Sequence, residues 1–284
     1  MKNLNYEILK QKFNKKIFEN SKKELLKKLA TSPERYIGIF RPTKPKIKLI
    51  QNITQSNEIK FGDAFEILIH EIFISQGYKP LNKKISFKES YKDLDQLFEK
   101  NNKIIFIEQK IRDDHDSSKK QGQIENFEDK LNLLLKKYSE SEIKAYFYFI
   151  DPSFKKNKTF YQKEIEKLKK DYEIDIKLVY GNELFKAENI EGWCFIIKFL
   201  IKWKKDLPEF PELDFDSQAD ETFNEIKNLE PKYFRKLFEN KAVKKEIFPI
   251  IFPKKTVLNK LKNYFNEQDK KIYKNLAKKL EEII

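Results

Sequence analysis

Asp95, Glu108 and Lys110 are the residues of this chain whose types and spacing could do chemistry. Residues 93–99 and 103–110 read as the strands of a hairpin, because Asn101 and Asn102 between them tolerate the positive φ of a tight two-residue turn. With the turn centred between those asparagines, Asp95 lies across from Glu108, and cross-strand partners share one face. Lys110 stands two residues beyond Glu108 and projects to the same face. Two carboxylates and an ammonium therefore converge at the end of a strand that is otherwise Ile104, Ile105, Phe106 and Ile107. Packing alone does not explain a buried strand that ends in Glu108, Gln109 and Lys110.

Hard divalent cations such as magnesium take oxygen ligands, keep several waters and are held by one or two protein carboxylates plus a phosphate. Asp95 and Glu108 can supply the carboxylates, with the carbonyl of Gln109 as a third ligand. A metal there polarises a phosphate and lowers the pKa of a bound water, while Lys110 orients that water and stabilises the charge of the transition state. The set points to phosphodiester hydrolysis with Mg2+ (Mn2+ as the alternative), no covalent intermediate and no small-molecule cofactor beyond the metal. The competing explanation is a surface hairpin with a cross-strand ion pair worth little to stability. The surrounding pattern favours the chemical one.

That pattern positions the hairpin. Ile8, Leu9, Phe13, Ile17, Phe18, Leu25, Leu26 and Leu29 follow the 3.6 period of an amphipathic helix or helix pair. Pro33, Gly38, Pro42 and Pro45 predict an irregular basic arm over residues 31–50. A helix is expected after Gly62, with Phe65, Ile69, Ile72 and Phe73 on one face, ending before Gly77. Beyond the hairpin, a polar loop from Arg112 to Gln123 precedes a helix marked by Ile124, Phe127, Leu131, Leu134, Leu135 and Tyr138. The segments 145–150 and 174–180 read as strands, 159–171 as a helix between them, and 195–203 as a buried helix. The order predicts a mixed sheet with helices on its faces.

Lys and Arg number 59 against 45 Asp and Glu, a net charge of +14 that favours a polyanionic partner. A Lys-, Ile-, Asn- and Phe-rich composition inflates Lys anywhere, but here the excess sits at the ends. Residues 1–60 hold 15 basic and 5 acidic side chains and residues 231–284 hold 15 and 6, while 61–205 hold 28 and 25. Residues 206–230 are acidic, at 1 to 9. The expected organisation is a basic helical N-terminal region with its Pro-containing arm (1–60), a catalytic core (61–205), and an acidic linker leading to a Lys-rich helical C-terminal region (206–284). No apolar run has the length of a signal peptide or a membrane span, so no membrane partner is expected. With a single cysteine, Cys194, a disulfide framework is excluded, and its apolar surroundings suggest a buried, inert thiol. A soluble cytoplasmic protein is expected. His70 and His115, the two histidines, are too few for a zinc site.

The arrangement Asp95, twelve residues, then Glu108-Gln109-Lys110 resembles the PD-(D/E)xK nuclease superfamily. Leu94 replaces the proline that usually precedes the first acid, which leaves Asp93 as an alternative to Asp95. The superfamily often carries a glutamate on the helix before the hairpin, and Glu66 matches that role. Residues 108–123, Pro33-Glu34-Arg35-Tyr36 and Tyr180-Gly181-Asn182-Glu183-Leu184-Phe185 further resemble a group of type II restriction endonucleases, with those cutting GANTC as a candidate subgroup. The resemblance implies a PD-(D/E)xK restriction-endonuclease-like α/β fold, a mixed sheet flanked by helices with helical N- and C-terminal extensions. It also implies site-specific hydrolysis of double-stranded DNA, and a homodimer because two strands are cut at a symmetric site. A structure-selective or repair nuclease of the same fold and a non-catalytic nucleic-acid-binding protein are the alternatives. Arg112, Lys119, Lys120 and Gln123 leave the catalytic strand beside the scissile phosphate and are candidate DNA contacts. Gln121 is a candidate for a supporting role near the metal. Arg41, Lys44, Lys46 and Lys48, alternating along the arm, are candidates for phosphate contacts.

Overall fold

The computed structural model describes residues 4–87, 90–114, 116–138 and 142–284, so His115 lies outside the described residues. The chain divides into two compact units, one of residues 1–14 and 62–206, the other of residues 15–61 and 207–284.

The first unit is built on a five-stranded sheet. Its strands are β1 (Lys79–Pro80), β4 (Gln96–Lys100), β5 (Lys103–Lys110), β6 (Glu142–Phe149) and β7 (Asp175–Tyr180), in the order β1-β4-β5-β6-β7. Pairing is antiparallel from β1 to β5 and parallel from β5 to β7. A separate antiparallel pair, β2 (Lys84–Phe87) and β3 (Ser90–Asp93), precedes the hairpin. The expected mixed sheet flanked by helices is thus the observed fold. Asn101 and Asn102 have φ of 50° and 60°, the two consecutive left-handed residues that a two-residue hairpin turn with the right twist requires.

One face of β5 carries Ile104 and Phe106 against α5 (Ser117–Lys137), where Phe106 stacks on Phe127 at 5.4 Å and Phe127 meets Phe147 edge-on at 5.3 Å. Tyr161 of α6 (Lys158–Tyr172) stacks on Phe147, extending the same apolar layer. Burying each such ring stabilises by roughly 1.5–3 kcal/mol. The opposite face presents Phe98, which stacks on Phe73 at 5.0 Å. Phe73 belongs to α4 (Pro45–Ser75), of which the part from Gly62 onward lies in this unit. Beyond β7 come α7 (Glu183–Ala187) and α8 (Trp193–Lys205), and Phe199 and Trp203 of α8 pack on Phe13 of α1 (Tyr6–Phe18).

The second unit is helical. It holds α2 (Ser21–Thr31), α3 (Glu34–Ile37), the first part of α4, α9 (Ala219–Ile226), α10 (Pro231–Glu239), α11 (Lys241–Glu246), α12 (Phe248–Ile251), α13 (Thr256–Asn266) and α14 (Lys271–Glu281). Its core joins Leu25, Leu26 and Leu29 to Phe234, Leu237, Val257, Leu261, Phe265 and Leu280.

Several expectations fail for identifiable reasons. The arm over 31–50 is not irregular throughout: α3 occupies part of it, and α4 begins at Pro45, where a proline is tolerated because the first helical N–H has no partner. The helix expected after Gly62 is the continuation of α4, with Gly62 inside it. Asp93 is not in the hairpin strand but ends β3, exposed and paired in register with Lys84. The loop Arg112–Gln123 stops at Asp116, whose carboxylate accepts the Lys119 N–H at 3.4 Å as an N-cap, so Lys119, Lys120, Gln121 and Gln123 are helical. Only one face of α8 is buried: Ile197 and Ile201 are exposed, and so is Cys194. The acidic stretch 206–230 is not simply a linker, since Leu213, Phe215 and Ile226 are buried in the helical core.

Candidate active site

The site forms at the C-terminal end of β5, the end of a strand at which ligands commonly bind in α/β sheets. The hairpin ladder runs from Lys100↔Lys103 to Gln96↔Ile107, so its continuation sets Asp95 across from Glu108. Asp95 stands just before the first ladder residue. There its Oδ2 accepts the Gln109 backbone N–H at 2.8 Å, substituting a side chain for the missing strand partner. The Lys110 carbonyl accepts from Ile150 N–H on the β6 side. Strand alternation therefore turns the Gln109 carbonyl the other way, towards the edge that β4 has left.

Glu108 and Lys110 share a face with Asp95. Lys110 Nζ is 2.7 Å from Glu108 Oε1 and 3.4 Å from Asp95 Oδ2. Burial alone would lower the Lys110 pKa, but the Glu108 and Asp95 carboxylates and their hydrogen bonds outweigh it and hold the ammonium above its ordinary value. Lys110 is therefore a cation here and not a free base.

A fourth group completes the cluster. Lys130 of α5 is buried, with Nζ 2.6 Å from Glu108 Oε2 and 3.6 Å from Asp95 Oδ1. Sequence reading missed it, although a signal was present. Position 130 lies three residues after Phe127 and four before Leu134, on the apolar stripe of its helix, where a lysine is out of place.

Glu66 sits on α4, on the cavity lined by Gly62, Asp63, Glu66, Asp95, Gln109, Lys110, Ile111 and Ile150. Its carboxylate pairs with Lys83 at 2.5 Å, and its backbone carbonyl accepts from Gln96 Nε2 at 2.7 Å. Burial raises the Glu66 pKa, against the lowering effect of Lys83. Asp63 on the same cavity is a second acidic residue that sequence reading did not single out. The side-chain amide of Gln109 is buried on the opposite face, and among the described residues both its polar atoms lack a hydrogen-bond partner, as does the Tyr148 hydroxyl on the neighbouring strand.

The expected DNA contacts divide between the two units. Arg112 is exposed, 3.6 Å from Asp114 and over the Phe154 ring. Lys119 is exposed, Lys120 Nζ lies 4.6 Å from the Phe160 ring centroid, and Gln123 accepts from the Tyr161 hydroxyl at 2.8 Å. Gln121 is exposed and bonds to Glu125, so it has no contact with the carboxylate cluster in the described contacts. Arg41, Lys44, Lys46 and Lys48 belong to the helical unit, with Arg41, Lys44 and Lys46 exposed next to Ile39 and Phe40, themselves almost fully exposed. Asp113, buried just after β5, accepts from the backbone and side-chain amides of Asn157 and from the Tyr180 hydroxyl, fixing the path of the chain out of the candidate site.

The donor set suits a divalent ion. Two carboxylates and a strand-edge carbonyl match the sparse protein ligation of magnesium, and two ammoniums already place positive charge against both carboxylates. Among the described residues no group of three His, Cys, Asp or Glu side chains is poised to hold a metal, so the carbonyl and water must complete any shell.

The fold is restriction-endonuclease-like. Residues 78–192, less than half of the chain, match the family described as type II restriction endonuclease, HinfI. Over this segment, which contains the hairpin, Lys130 and the strands that follow, the chain is similar to a family of type II restriction endonucleases, nucleases that act on DNA and generally use a divalent metal. No curated protein and no solved structure matches the chain. No described helix is long and apolar enough to cross a membrane.

Proposed function

We propose that the protein is a cytoplasmic, Mg2+-dependent PD-(D/E)xK endonuclease that cuts double-stranded DNA at a short sequence, GANTC, as a homodimer. The observation that carries this reading is the cluster at the end of β5, where Asp95 and Lys110 line one cavity and the buried Glu108 lies 2.7 Å from the Lys110 ammonium. Asp95, Glu108 and the Gln109 carbonyl would hold the ion, which when bound polarises the scissile phosphate and supplies an activated water. Lys110, held cationic by the carboxylates, orients that water and stabilises the extra negative charge of the pentacovalent phosphorus. Glu66, on the same cavity, orients water from the helix side. Arg112, Lys119, Lys120 and Gln123 border the path of the DNA, and Arg41, Lys44, Lys46 and Lys48 contact its phosphates.

The test is digestion of a sequenced plasmid with Mg2+, with Mn2+, with Ca2+ and with chelator, followed by mapping of the ends. Discrete fragments ending at GANTC with Mg2+, and none with chelator, are expected. Cutting in excess chelator would overturn the metal mechanism. Cuts at branched or damaged DNA alone would make it a repair nuclease, and uncut DNA would make it a binding protein.

A further inference from the structure

We propose that Lys130 is a positioning residue that makes metal uptake at Asp95 and Glu108 conditional on bound DNA. The inference rests on the nuclease reading of the site. Lys130 is only 7% exposed at its side chain, so its ammonium cannot serve as a phosphate contact on the surface. It engages Glu108 Oε2 at 2.6 Å and approaches Asp95 Oδ1 at 3.6 Å, while Lys110 takes Glu108 Oε1 and Asp95 Oδ2. The two lysines thus divide the four carboxylate oxygens between them.

Their unequal exposure separates their duties. Lys110 lines the cavity and is 27% exposed at its side chain, where a substrate phosphate entering the cavity can meet it. Lys130 is anchored in the apolar stripe of α5 beside Phe127, Leu131 and Leu134, where packing alone would select another leucine. Its ammonium has Glu108 as its partner and stays with that carboxylate.

The consequence is one of charge. Asp95, Glu108 and Lys110 alone would sum to −1 and attract a divalent ion by themselves. Adding Lys130 brings the cluster to zero. Glu66, paired with Lys83, leaves that sum unchanged, and the charge of Asp63, which lines the cavity but is exposed, is screened by solvent. A divalent ion entering the neutral cluster therefore leaves two positive charges in a partly desolvated site, where like charges repel far more strongly than in water. A DNA phosphate arriving with the ion supplies the missing counter-charge. The site consequently takes up its metal with the phosphate, and DNA and metal strengthen each other's binding reciprocally.

The experiment titrates Ca2+ calorimetrically into wild type, Lys130→Met and Lys130→Arg without DNA, and measures binding of a fluorescent duplex containing GATTC with and without Ca2+. Removing one buried positive charge next to the ion should tighten DNA-free Ca2+ binding on the order of tenfold. The gain in duplex affinity on adding Ca2+ should shrink by the same factor. Lys130→Arg, which keeps the charge, should behave as wild type. A merely structural lysine would predict the opposite, weaker Ca2+ binding through loss of Glu108 placement. DNA-free Ca2+ affinity that is unchanged or weaker in a folded Lys130→Met protein overturns the proposal. If thermal melting shows that variant unfolded, Lys130→Gln carries the same comparison. Ca2+-dependent duplex binding that is lost in Glu108→Gln but intact in Lys130→Met refutes the role of Lys130 alone. No Ca2+ response in wild type, with or without the duplex, refutes the nuclease reading itself.

Discussion

Replacing Glu108 by Gln keeps the shape of the side chain and removes its charge from the centre of the cluster. Glu108 is 1% exposed and accepts from two ammoniums, Lys130 at 2.6 Å and Lys110 at 2.7 Å. The amide that replaces one oxygen is a donor, so at least one lysine loses its acceptor and faces another N–H. Removing one partner of a buried pair costs about 3–5 kcal/mol. Asp95 offers partial compensation, at 3.4 Å from Lys110 and 3.6 Å from Lys130, which puts the expected loss near the lower end, about 3 kcal/mol. At roughly 2–4 °C per kcal/mol for a unit of this size, the metal-free melting temperature should fall by about 6–12 °C. The Lys103–Glu142 pair provides the control, because at 2.8 Å it is as short, yet its side chains are 48% and 62% exposed. Glu142→Gln should cost less than about 1 kcal/mol. The assay is thermal melting by circular dichroism in chelator, with plasmid cleavage measured in Mg2+, where Glu108→Gln should lose at least about a hundredfold in rate. A Glu108→Gln protein that melts with wild type would refute the burial argument. One that is folded and cuts near the wild-type rate would remove Glu108 from the site.

Asp93→Ala should cut within about twofold of wild type, because Asp93 is exposed and paired in register with Lys84 on a separate two-stranded sheet, whereas Asp95→Ala should lose cutting on the scale of Glu108→Gln. Comparing cleavage rates of the two variants decides the register, and a dead Asp93→Ala would reverse the assignment. Neutralising Lys44, Lys46 and Lys48 together should flatten the logarithmic salt dependence of DNA affinity by up to about 3 units, read from binding at several salt concentrations; an unchanged slope would return them to a solubilising role. Burial would raise the Glu188 pKa, but the Lys144 ammonium and the Tyr146 and Tyr78 hydroxyls overcome it and hold the carboxyl below its ordinary value. Its stabilisation is therefore complete at neutral pH and is lost as pH falls through the lowered folded value. Glu188→Gln should destabilise by about 1.5–3 kcal/mol at pH 7, with the melting difference from wild type closing as pH falls through the lowered value of the Glu188 carboxyl. A difference that stays constant with pH would refute the charged network.

The hairpin shows what the sequence by itself determined. Adjacent asparagines specify a two-residue turn, strand period and turn position then set the register, and Asp95, Glu108 and Lys110 follow on one face without knowledge of anything distant. The alternating strands and helices of 142–205 were legible for the same reason, since local periodicity and turn residues carry them. The arm over 31–50 was misread because Pro45 is equally compatible with a loop and with the first turn of a helix, and only the packing of α4 decides between them. Asp93 was misplaced because pairing with Lys84 competes with extension of the hairpin, and strand partners brought from elsewhere in the chain are not written in local pattern. Cys194 and the outer face of α8 were read as buried because an apolar run does not say how many of its sides find a neighbour. Lys130 is the residue that only tertiary structure could assign. It lies 22 positions from Glu108 along the chain, and its ammonium reaches that carboxylate because α5 packs its apolar stripe onto the β5 face. Periodicity could mark it as misplaced among Phe127, Leu131 and Leu134, but the partner that compensates its buried charge exists only once helix and strand have met.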